Sequence, residues 1–184
     1  MSTFEETLSW TGVPLPDALR GVPAESQQAV ADYLKAVVDL KTDGFDELYH
    51  AIGTIVRYIP HFIVIPLMVE HIRPRIAAGV CRTMGVEQAT HYANDLPVEY
   101  FSEVSKHLDD RLMAEIFEKM KKHHAEKVIR HELNNHLNHL LGIAGHLDDR
   151  MLAVVARMVA LPEKQEELAG HPHQAVIEKI RALQ

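Results

Sequence analysis

The 184-residue sequence has one cysteine, Cys81, which excludes a disulfide framework and any thiolate metal cluster within one chain. With nine Gly and nine Pro, it is neither collagen-like nor low-complexity. Basic residues are the minority, 19 Lys and Arg against 26 Asp and Glu. The resulting net charge of −7 disfavours bulk attraction to nucleic acid or an anionic membrane. The greasiest stretch, Ile59 to Val69, is too short to span a bilayer and carries Pro60, His61 and Pro66. Met1 to Trp10 is acidic and lacks the basic and apolar regions of a secretory signal, so a soluble cytoplasmic protein is expected. Gly-x-Ser-x-Gly, GxGxxG and GxxxxGK[ST] are all missing, and HExxH does not occur. Glu47-Leu48-Tyr49-His50 is a lone Glu-x-x-His where di-iron carboxylate chemistry needs two. No catalytic or cofactor-binding residue is assigned.

What is present is 47% hydrophobic and 24% charged residues, the composition of a globular domain with a sizeable core. Charge is uneven. Residues 1–50 hold nine acids against three bases, whereas residues 57–82 hold Arg57, Arg73, Arg75 and Arg82 against Glu70 alone. Those arginines either meet a phosphate ligand or acidic partner, or lie on the surface and pair internally. Thirteen His are unusual; full protonation would carry the charge from −7 to +6, so surface charge should vary steeply near pH 6.5.

Residues 1–22 read as an irregular arm. Residues 23–72 read as a helical hairpin and connector, with Pro23 where a helix can begin and Asp43 placed to cap the second helix. Ile63-Val64-Ile65 lies between prolines and reads as a buried helix or connector. Residues 73–184 read as short-helix repeats packed with the preceding part as one domain. Large apolar residues stand at 72, 84, 96, 108, 120, 133, 147 and 159, at spacings of 12 to 14. Turn formers, cappers or lysines follow nearly every one.

A continuous helix would drift by about 120° per twelve residues and scatter these anchors over all faces. Breaking the chain after each anchor removes the conflict. Helices that short are not stable alone and must stack, which is the logic of an α-solenoid. The octet His107 to Ala114 recurs as His146 to Ala153, with six of eight residues identical. The expected fold is all-α, a helical hairpin followed by a solenoid-like array, ending in a helix over 174–183 after Gly170-His171-Pro172.

Short helices joined by turns carrying Pro or paired acids, best seen in Leu96-Pro97-Val98-Glu99 and Leu108-Asp109-Asp110-Arg111, resemble the superhelical N-terminal domain of MgtE-type magnesium transporters and the related FliG middle domain. The matching stretch runs from about Pro74 to Val159. The resemblance implies a helical superhelix used for packing against a partner or for regulation. Without transmembrane segments or cystathionine-synthase-like domains in these residues, a transport activity does not carry over.

Two constellations stand out. Asp109, Asp110, Arg111, Asp148, Asp149 and Arg150 would line one edge of the array to meet a basic partner or a divalent cation; the plainer reading is helix capping. His136 and His139, three apart on a helix with Glu132 one turn earlier, are the best core of a zinc-type site, and need a further ligand such as His107 or His146. Cys81 sits among Ala77, Ala78, Val80 and Met84 and reads as a small core residue. The leading expectation is a non-enzymatic module that binds a protein partner, without nucleic acid or membrane insertion and with homo-oligomerisation open. A metal- or pH-responsive binding protein and a small α-helical enzyme are the alternatives.

Overall fold

A computed structural model describes residues 4–159 and 172–184. All regular structure among these residues is helical, in thirteen α-helices and one 3-10 turn. The chain divides into two compact units, Met1–Phe45 and Asp46–Gln184. The two helices expected over residues 23–72 fall on either side of this division.

The first unit is more regular than an arm. It holds α1 (Phe4–Thr7), a 3-10 turn over Ser9–Thr11, α2 (Asp17–Arg20) and α3 (Ala24–Thr42). Pro23 is the residue before α3, its carbonyl accepting the first helical hydrogen bonds from Ser26 and Gln27. The apolar stripe of α3 is largely open: Ala31 is buried, but Tyr33, Val37, Val38 and Leu40 are exposed.

In the second unit α4 (Phe45–Val56) and α5 (His61–His71) precede seven short helices: α6 (Pro74–Met84), α7 (Val86–Ala93), α8 (Val98–Ser105), α9 (Asp110–Lys119), α10 (Lys122–Asn135), α11 (Leu137–Ala144) and α12 (Asp149–Met158). α13 (Gln174–Ala182) closes the chain. The expected break before it lies partly at Gly170 and His171, outside the described residues.

Each boundary has a local cause. Pro60 and Pro97 precede α5 and α8, and Pro74 occupies the first turn of α6, where its missing N–H costs nothing. Asp109 and Asp148 cap α9 and α12, accepting hydrogen bonds from the N–H of Leu112 (2.8 Å) and Met151 (2.7 Å). Gly85 joins α6 to α7 at φ +85°, a conformation that L side chains rarely adopt.

Packing follows a two-step rule. α6 packs on α8, α7 on α9, α8 on α10, α9 on α11, α10 on α12 and α11 on α13. Each helix thus buries its stripe against the second helix along the chain, as a stacked array requires. The core is densest around Met113, Ile116, Phe117, Val128, Ile129 and Ile143, with the Phe101 and Phe117 rings edge to face at 6.4 Å. Of the repeat anchors, Leu96, Leu108, Met120 and Val159 are buried. Met84, Leu133 and Leu147 are partly buried, while Ile72 is exposed. Leu112 is also only partly buried.

Candidate functional site

Two places in the second unit combine unusual chemistry with position. The first is a polar knot where α8, α10 and α11 meet. α10 ends at Asn135, and His136 (φ −145°, ψ +50°) breaks the helix before α11 starts at Leu137. The break swings His139 back, so its Nδ1 lies 3.0 Å from Glu132 Oε2. From α8, the Ser102 hydroxyl donates to Glu132 Oε1 at 2.5 Å. Glu132 is fully buried. Burial pushes its carboxyl up, but the hydrogen bonds from His139 and Ser102 and the charges of His139 and His136 outweigh it and hold the carboxyl below its usual range.

The trio expected on one helix face is therefore split. Glu132 and His139 meet across a helix break, and His136 forms the break. The pair supplies two ligands to any one ion, and no group of three or more His, Cys, Asp or Glu among the described residues is placed to hold a metal. Nor is the knot a nucleophilic triad: the Ser102 proton is committed to Glu132, so His139 is not positioned to accept it. What the knot does is tie three helices through one buried charge. His139 Nε2 is buried without a partner.

The Asp-Asp-Arg turns are also structural in their visible contacts. Asp148 N–H donates to Glu118 Oε1 at 2.8 Å, and Arg150 donates to the Glu118 carbonyl at 2.8 Å. The second turn thus sits at the Glu118 end of α9, while Asp109 caps the opposite end, about 13 Å of helix away. The two turns do not line one edge, and their acids are not pooled for a divalent cation. The Asp110 carboxylate lies against Gly142 of α11, where a Cβ would come within 2.5 Å of Oδ2. Arg111 makes an exposed pair with Glu115 at 3.5 Å, and Asp149 is exposed.

The second place is apolar. A cavity of about 370 Å³ lies among α4 to α8. Val80, Tyr92, Leu96 and Phe101 form its buried wall, and Leu67, Ile72 and Ile76 form an exposed one. Cys81, half-buried, also lines it; burial pushes its thiol up to about 12, with Arg82 lowering and Asp109 raising it, which disfavours the reactive thiolate.

Beside the cavity, α5 overturns the expectation of a buried segment. Val64 is its one buried residue, while Phe62 is 78% exposed and Leu67 51%. Eight large apolar side chains between Ile55 and Ile76 are exposed in all. The sequence signal was the apolar run from Ile59 to Val69, interrupted only by Pro60, His61 and Pro66, which leaves little polar face to turn outward. Ser102, in contrast, had no signal in the sequence.

The basic stretch divides in the same region. Arg57 donates to the Thr54 carbonyl and lies over the Tyr58 ring, and Arg82 donates to the His107 carbonyl at 2.8 Å. Arg73 and Arg75 are exposed without an ion-pair partner among the described residues. No known protein family matches the chain, and comparison with curated proteins and with solved structures gives no match either.

Proposed function

We propose that the chain is a helical-repeat protein-interaction module whose docking face is the exposed apolar surface of residues 55–76. The observation that carries this reading is α5, an apolar helix with Phe62, Ile63, Leu67 and Val69 open to water. Folded chains rarely leave apolar surface of this kind unpartnered. The partner that fits presents an apolar face of its own, for example one side of an amphipathic helix. The array behind α5 supplies a scaffold, in keeping with the resemblance to superhelical regulatory domains. Support lies at α5 rather than at the Asp-Asp-Arg turns, where Asp109 and Asp148 already cap helices.

A photo-crosslinking residue introduced at position 62 in the source cell, with position 157 as control, tests the proposal. The expected result is one reproducible protein adduct at 62, absent at 157 and lost when Leu67→Glu is added. Adducts of equal pattern at both positions would overturn it.

A further inference from the structure

We propose that the cavity among α4 to α8 binds a single-chain amphiphile with an anionic head, a free fatty acid, tail inward. This goes beyond the protein-docking reading and does not rest on it.

The tail follows from the cavity. Protein interiors hold few voids larger than a water molecule, and such a space takes ordered water only where polar groups can hold it. Here the walls are aliphatic and aromatic apart from Cys81 and His71. The Tyr92 hydroxyl is already committed, donating to the Val56 carbonyl at 2.9 Å. The occupant that suits these walls is hydrocarbon. An apolar cavity of about 150 Å³ accommodates benzene, so about 370 Å³ accommodates a chain of roughly fourteen carbons.

The head follows from the exposed side. Ile72 and Ile76 open the cavity towards solvent, and the chain between and beside them carries His71, Arg73 and Arg75. His71 itself lines the cavity, with Glu70 3.8 Å away. Arg73 and Arg75 are exposed without ion-pair partners among the described residues. The same segment begins α6, and no side chain caps that N-terminus, so its field adds to the positive charge. An apolar chamber lined by His71, with Arg73 and Arg75 flanking its exposed Ile72 and Ile76 along the chain, is complementary to a carboxylate on a hydrocarbon tail, and opposed to a cationic amphiphile. The Tyr100 hydroxyl donates to the Ile72 carbonyl at 2.8 Å and fixes this entrance to α8.

Calorimetric titration of the full chain with sodium myristate, kept below micelle formation, tests the proposal. Saturable binding of one myristate per chain is expected, at a dissociation constant of about 10 μM or tighter. Replacing both arginines (Arg73→Gln with Arg75→Gln) should weaken myristate about five- to tenfold, the scale of two exposed charge pairs, while leaving uncharged 1-tetradecanol unchanged. Ile72→Trp, at an exposed position, should fold normally and block both ligands. Ala77→Leu, deeper in the cavity, should shift preference to shorter chains. Three results would each overturn the proposal: uptake that never saturates, equal affinity for tetradecyltrimethylammonium, or sedimentation as a dimer that myristate neither enters nor dissociates. The last would show that a second copy covers the entrance.

Discussion

Single residues carry most of the polar chemistry. Glu132 is a buried carboxylate whose stability contribution depends on two partners from other helices. Glu132→Ala leaves the Ser102 hydroxyl and His139 Nδ1 without their partner and should cost about 1–3 kcal/mol, the usual cost of a buried polar group left unpaired, read by urea unfolding. Its folded-state pKa is depressed, so the contribution is present above the unfolded carboxyl value of about 4.3 and is lost as pH falls through the lower folded value. Acid unfolding of Glu132→Gln should therefore show a shallower pH dependence below pH 4.3 than the parent chain.

His124 acts in a higher window. Burial, then the charges of His123 and Lys127, lower its pKa, against a hydrogen bond to the Ala93 backbone and the charge of Asp95. The unfolded chain takes up this proton first, so stability is present above about pH 6.5 and is lost as pH falls towards the folded value. The melting temperature should fall from pH 7.5 to 5.5 more steeply in the parent than in His124→Gln. Equal slopes would show that His124 is not buried as described.

The element scale is where the sequence was most readable. Anchor spacing places turns near 85, 97, 109, 121, 134 and 148, and helices break at Gly85, at Asn94–Pro97, at Lys106–Asp109, at Met120–Lys121, at His136 and at Gly145–Asp148. Proline and Asp signal their boundaries locally, which is why a single sequence shows them. The break at His136 was harder to place. It has neither Pro nor Gly, and it comes two residues after the turn expected near 134. That offset is what turned a one-helix His136–His139 pair into a cross-helix Glu132–His139 pair. Ser102 was unreadable for a related reason: its partner is 30 residues away, and nothing local marks a serine that meets a buried carboxylate. At this scale Asp148→Ala tests capping. It removes the α12 cap while leaving the backbone contact to Glu118, and should cost about 0.5–2 kcal/mol in thermal or urea unfolding.

At the scale of the whole molecule, burial among the described residues is concentrated in α6 to α13, and exposed large apolar side chains fall mainly in residues 10–48 and 55–76. A hydropathy pattern cannot distinguish these cases, because an apolar run looks the same whether its own chain or something else covers it. α5 is open in the free protein, and the proposed binding face depends on that openness. Measuring the unfolding free energy of Phe62→Asp beside Ile116→Ala tests this most directly. Ile116 is fully buried, and its truncation should cost about 2–5 kcal/mol. Phe62→Asp should change stability by less than about 0.5 kcal/mol, as an exposed position does. A loss above about 2 kcal/mol for Phe62→Asp would place α5 in the core and contradict the account.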